Sequence, residues 1–215
     1  MTAATRWSDP GVGPTRIKLC GLRRMRDLDV AAEAGADAIG LVRVAGSPRA
    51  VTRDEARQLA AATPPCLTPI TLLVNPEEPD IHHGICPWTQ LHGDEPPRLV
   101  ELAAAGGPVV RAAAWNDLDA IRRWDASPHV ARLLIDSPRG GSGEAFDHEA
   151  FLPIAVAIQT PWILAGGLTP DTVTAAIQTL RPWGVDVSSG IESSRGVKDP
   201  ARIEAFCAAV RAADG

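Results

Sequence analysis

Two side chains invite a chemical reading by their type and position. Cys20 ends the apolar run Ile17–Cys20, and Asp136 ends the run Leu133–Asp136. A thiolate and a carboxylic acid can divide acid–base work, one taking a proton while the other gives one. Alone, each has a plainer role: a strand cysteine is usually an inert small hydrophobe, and a strand-end aspartate is often a helix cap. Lys18 lies two residues before Cys20 and so on the same face of a strand. Turned inward, its charge favours the thiolate and pairs with an inward carboxylate such as Asp186. Cys20 needs such help, because an unperturbed thiol of pKa about 8.5 is mostly protonated at neutral pH. Asp136 must be protonated to act as an acid, and burial in a site mouth would raise its pKa to supply that form.

Other residues suit anions. Arg49 follows Ser47-Pro48, and its planar fork matches a carboxylate. Gly166-Gly167 and Ser188-Ser189-Gly190 place flexible backbone where successive N–H groups can cradle a phosphate. Singly, such glycines only make turns. His92, in Gln90-Leu91-His92-Gly93, has no assigned role. Cys20, Cys66, Cys86 and Cys207 match no zinc or redox spacing.

These residues acquire meaning from the elements that carry them. Eight short apolar runs are predicted strands: Ile17–Cys20, Ala38–Val42, Ile70–Val74, Trp88–Leu91, Val109–Ala112, Leu133–Asp136, Trp162–Ala165 and Val185–Ser188. They are continuous rather than alternating, as in parallel strands buried on both faces. Helical patterns separate them. Thr52 and Glu55 form a capping box. Asn116 can cap the next-but-two helix, and Thr169-Pro170 and Asp199-Pro200 both read as a cap followed by proline at the first helical position. Pro79–Gly84 has room for barely one turn, and His148–Ala157 is short. Eight strand–helix units of about 25 residues predict an α/β chain forming a single-domain (β/α)8 TIM barrel over residues 16–215. The rival, an open doubly wound sheet, would place a Gly-rich loop after its first strand, where Cys20-Gly21-Leu22-Arg23 stands instead. In the barrel, Cys20, Arg49, Asp136, Asp186 and the glycine turns of units seven and eight share the C-terminal rim, where a phosphate site is common.

The chain of 215 residues has 21 basic and 26 acidic side chains, a net charge of −5. This balance speaks against a nucleic-acid partner. No apolar run is long enough to span a membrane, and residues 1–15 lack a secretory signal and read as a flexible tail. A reduced, cytoplasmic setting is expected, with a small phosphorylated molecule as ligand and a monomer or homodimer as the assembly.

In chain order, IKLCGL (17–22), GADAIGLV (35–42), SPRAV (47–51), LLVN (72–75), QLHGDE (90–95), LLIDS (133–137) with GGSGEAFD (140–147), LAGGLTPDTV (164–173) and VDVSSGIE (185–192) with KDP (198–200) resemble the phosphoribosylanthranilate isomerase family. The resemblance runs from about Arg16 to Phe206. It implies a cofactor-free Amadori rearrangement in tryptophan biosynthesis, with Cys20 as general base and Asp136 as general acid. It further implies Arg49 on the anthranilate carboxylate, and the loops of Gly166-Gly167 and Ser189-Gly190 on the phosphate. Asp186 is taken as a substrate-binding residue.

Three features depart from the family pattern: Arg43 at the end of strand two, a short segment between Asp136 and Gly140-Gly141, and a compressed region between Asn75 and Gln90. They leave room for a paralogue acting on a modified aryl-amine or aminoimidazole ribotide. A non-catalytic barrel that binds a phosphorylated ligand is the alternative from another class.

Overall fold

The computed structural model describes residues 6–11, 13–81, 84–138 and 146–215. Eight parallel strands close into a barrel in the order of the sequence. They are β1 (Arg16–Cys20), β2 (Ala38–Val42), β3 (Thr68–Leu73), β4 (Trp88–Leu91), β5 (Val109–Ala114), β6 (Arg132–Asp136), β7 (Trp162–Leu164) and β8 (Gly184–Val187). Helices α1 (Met25–Glu33), α2 (Arg53–Ala62), α3 (Glu78–Ile81), α4 (Pro97–Gly106), α5 (Leu118–Asp125), α6 (His148–Ala155), α7 (Val173–Leu180) and α8 (Pro200–Ala213) follow the strands in turn. A short antiparallel pair, β9 (Glu192–Ser194) with β10 (Val197–Lys198), separates β8 from α8. Among the described residues no helix is long and apolar enough to cross a membrane.

The alternation of side chains along each strand builds two cores. Ile17, Leu19, Ile39, Leu41, Leu133 and Ile135 face outward into the layer shared with the helices. Ala38, Ile70, Val110, Leu134 and Ile163 face inward and fill the lower barrel. Above them Cys20, Val42 and Leu72 form a smaller apolar patch near the mouth.

Capping chemistry sets several helix starts. The Thr52–Glu55 box forms with both reciprocal hydrogen bonds, and Asp199 accepts from the N–H groups of Ala201 and Arg202 with Pro200 at the first position. Two expected starts move. Asp117, not Asn116, caps α5 by accepting from Ala120 N–H. Thr169-Pro170 does not open α7; Thr172 Oγ1 accepts from Thr169 N–H in a separate turn, and the helix begins at Val173. Helix α3 is a single turn, in keeping with the compressed segment before β4.

The expected flexible tail over residues 1–15 is corrected at Arg6–Ser8, which form a 3-10 turn against the N-terminal end of the barrel. Trp7 is fully buried there, edge-on to Trp183 at 5.0 Å and to Trp88 at 6.2 Å. The Arg132 guanidinium lies over the Trp183 and Trp88 rings, and Arg16 Nε donates to the Arg6 carbonyl at 2.9 Å. The strand-start arginines Arg16 and Arg132 thus pack against indole rings at this end of the barrel.

Candidate active site

At the opposite end, a cavity of about 250 Å³ is lined by Cys20, Val42, Val44, Ser47, Arg49, Leu72, Val74, Gln90, His92, Asp136, Asp186 and Ser188. It draws on six of the eight strand exits, and it brings together four of the residues expected from the sequence: Cys20, Arg49, Asp136 and Asp186. A larger cavity of about 710 Å³ lies at the N-terminal end among Pro10, Thr160, Trp183 and Asp214 and holds none of them.

Strand register explains the floor of the site. Lys18 stands opposite Asp186 in the β1–β8 pairing, and its fully buried ammonium meets Asp186 Oδ1 at 2.7 Å. Burial opposes that charge, but Asp186 and Cys20 together hold the Lys18 pKa above its ordinary value. Cys20 stands opposite Gly40 in the β1–β2 pairing. A Cβ at Gly40 would lie 2.9 Å from Cys20 Sγ and 3.3 Å from Lys18 Nζ, so this strand position must be glycine for thiol and ammonium to sit side by side. Burial pushes the Cys20 thiol pKa up; Lys18 and Lys198 pull it down but do not overcome the burial. Lys18 thus acts in the expected direction, favouring the thiolate, against the larger effect of burial.

The acid side differs from expectation too. The Asp136 side chain keeps 29% of its exposure, so it is not the buried carboxyl the sequence suggested. Ser137 N–H donates to its Oδ1 at 2.7 Å, and His92 Nε2 lies 3.3 Å from its Oδ2. Gln90 Nε2 is 3.0 Å from His92 Nδ1 and fixes the ring from the strand side. Sequence reasoning left His92 without a role. Its place in QLHG, at the exit of β4, was the available signal.

Arg49 lines the cavity, but its Nε and Nη2 donate to Glu192 Oε1 and Oε2 at 2.7 and 2.9 Å. Glu192 was not singled out from the sequence. Arg43 does not line the cavity; its Nη2 pairs with Asp80 of α3 at 3.2 Å. Gly166 and Gly167 follow β7 with φ of +89° and +69°. A Cβ on Gly166 would come within 2.3 Å of Ser137 Oγ. After β8, Ser189–Ile191 form a 3-10 turn, and a Cβ on Gly190 would fall 2.0 Å from the Leu168 carbonyl oxygen. These four residues do not line the cavity itself. They form two adjoining glycine turns on the same rim. The loop through Gly140-Gly141 lies outside the described residues. Among the described residues no cluster of three potential metal ligands occurs.

The family model for N-(5'-phosphoribosyl)anthranilate (PRA) isomerase matches residues 17–209. The N-(5'-phosphoribosyl)anthranilate isomerase of Leptothrix cholodnii is 42% identical over 209 residues, covering 93% of this chain and 92% of its own. That of Haloferax volcanii is 41% identical over 213 residues, covering 94% and 95%. Among solved structures, phosphoribosyl anthranilate isomerase from Thermotoga maritima superposes with a TM-score of 0.83 at 30% identity, covering 92% of this chain and 99% of that one. A complex of such an isomerase with reduced 1-(o-carboxyphenylamino)-1-deoxyribulose 5-phosphate gives 0.81 at 30% identity over the same shares. The closed eight-stranded barrel, the cavity at its C-terminal mouth and these likenesses converge: the chain belongs to the N-(5'-phosphoribosyl)anthranilate isomerase family and is an isomerase of tryptophan biosynthesis.

Proposed function

We propose that Cys20 and Asp136 are the general base and general acid of the Amadori rearrangement, with Arg49 on the anthranilate carboxylate and the turns of Gly166-Gly167 and Ser189-Gly190 on the phosphate. The observation that carries this reading is that the thiol of β1 and the carboxyl of β6 line one cavity, although they stand 116 positions apart (136 − 20). The resemblance noted in the sequence and the carboxylate and phosphate of the ligand bound by a relative support the remaining roles.

The chemistry follows from the geometry. A proton from Asp136 reaches the furanose oxygen, and the bond from that oxygen to C1 breaks as the amine lone pair forms an iminium. The Asp136 Oδ2–His92 Nε2 contact gives the carboxyl a neighbour with which to exchange the proton. Cys20, as the thiolate that Lys18 and Lys198 favour, then takes the proton from C2, leaving an enolamine that tautomerises to the C2 ketone with protonation at C1. The iminium makes the C2 proton acidic just when Cys20 is to take it. Asp186 spends Oδ1 on Lys18, leaving Oδ2 for a sugar hydroxyl.

Steady-state turnover of phosphoribosylanthranilate, run beside rescue of a tryptophan auxotroph, tests the reading. Cys20→Ala and Asp136→Asn should each lower kcat by about 100-fold or more while the ligand still binds. Turnover near the wild-type rate in either variant overturns the assignment.

A further inference from the structure

We infer that Glu192 is a positioning residue for substrate specificity. It fixes the Arg49 guanidinium so that one edge is taken and the other is presented to an aryl carboxylate. This rests on the reading of Arg49 given above and names what aims it.

Glu192 begins β9, does not line the cavity, and is buried. Its two oxygens face Arg49 Nε and Nη2, a side-on bidentate pair. That pair leaves Nη1 and the outer hydrogen of Nη2, the end-on edge of the fork, for a second planar anion. The carboxylate is itself immobilised. Lys198 Nζ donates to Oε1 at 2.9 Å, and Gly196 N–H donates to Oε2 at 3.0 Å. Lys198 also donates to the Ser188 carbonyl at 2.9 Å, which ties the cluster to the end of β8. The turn between β9 and β10 is seated on the loop that carries Arg49: a Cβ at Gly196 would fall 2.4 Å from the Pro48 carbonyl oxygen. Two loops far apart in the sequence are therefore latched around one guanidinium.

The charges are also counted for this task. Two cations, Arg49 and Lys198, share one carboxylate, so the cluster keeps a net positive charge after internal pairing. A lone arginine would swing toward any acidic group. One whose side-on edge is already satisfied can only add a ligand on the other edge. The ligand class this selects is an aryl amine whose carboxylate stands next to the amine nitrogen, as in the compound bound by a relative.

The test compares two ligands across three variants. The ligands are reduced 1-(o-carboxyphenylamino)-1-deoxyribulose 5-phosphate and its phenylamino counterpart lacking the carboxylate. Their Kd ratio is measured by calorimetry for the wild type, Arg49→Ala, Glu192→Gln and Glu192→Ala. The ratio is insensitive to a fraction of unfolded protein, so a destabilised variant remains informative. Arg49→Ala should collapse the wild-type preference for the carboxylate. Both Glu192 variants should lower it by about tenfold, the equivalent of one well-aimed charge-assisted hydrogen bond, with the Kd of the carboxylate-free ligand unchanged. In turnover, the same variants should raise KM and leave kcat within about threefold, as for lost uniform binding. If Arg49→Ala collapses the preference and the Glu192 variants keep it, the positioning role is overturned and the Arg49 reading stands. If Arg49→Ala keeps the preference, the Arg49 reading fails and the inference falls with it.

Discussion

The Cys20 thiol stands in a contest between burial and two ammonium groups, and the contest can be shifted one residue at a time. Lys18→Met removes a cation that lowers the Cys20 pKa, so the limb of the kcat/KM–pH profile that reports the base should move to higher pH. An unmoved limb would show that the thiol is not the group being titrated. Glu192 offers a stability test. Burial raises its pKa, but hydrogen bonds from Arg49 and Lys198 outweigh that and bring it down to about 2. A carboxylate depressed in the folded state stabilises the fold above its unfolded pKa and loses that contribution as pH falls through the folded value. The stability gap between wild type and Glu192→Gln in urea titrations should therefore be full from about pH 5 upward and close toward pH 2. At this scale the sequence revealed the groups with intrinsic chemistry, Cys20 and Asp136. It did not reveal His92 or Glu192, whose importance lies in contacts with Asp136 and Arg49 that only the closed barrel creates.

At the scale of elements, what was legible depended on whether a signal is local. The Thr52–Glu55 box is four residues of self-contained hydrogen bonding, and it forms as read. Thr52→Ala should cost about 1 kcal/mol in chemical denaturation without changing kcat. The strands were also readable, because burial on both faces demands continuous apolar runs. Thr169-Pro170 was misplaced because Thr172 Oγ1 accepts from the Thr169 N–H and closes a turn of its own ahead of the helix. Glycines were legible as turns but not as clearances. Gly40 reads as one more small residue in an apolar run, yet across the pairing it makes room for Sγ and Nζ. Gly40→Ala should preserve the fold and lower kcat by at least about tenfold, since displacement of a reacting group by an ångström is that costly; unchanged turnover would remove the clearance from the mechanism.

For the molecule as a whole, the two ends of the barrel have separate duties. The C-terminal end holds the candidate active-site cavity, and the N-terminal end is closed by Trp7 on Trp88 and Trp183. No sequence pattern announces such a plug, because a single tryptophan among glycine, proline and polar residues has no periodicity to read. Trp7→Ala should lower unfolding free energy by about 3 kcal/mol, in line with truncating a buried aromatic, and leave KM unchanged. A thermal or urea midpoint equal to that of the wild type would show that the indole contributes nothing there.

The ammonium groups beneath the site have one more consequence. Lys18 and Lys198 are the chain's two lysines, set against 19 arginines (21 − 2), and both are buried. The folded enzyme therefore offers solvent no side-chain amine at all. Among amines, acylating reagents should mark only the α-amino group, and a lysine-specific protease should leave the chain whole until the barrel opens. Cleavage after Lys18, in the first strand, then becomes a clock for global unfolding, built into the polypeptide with no added label.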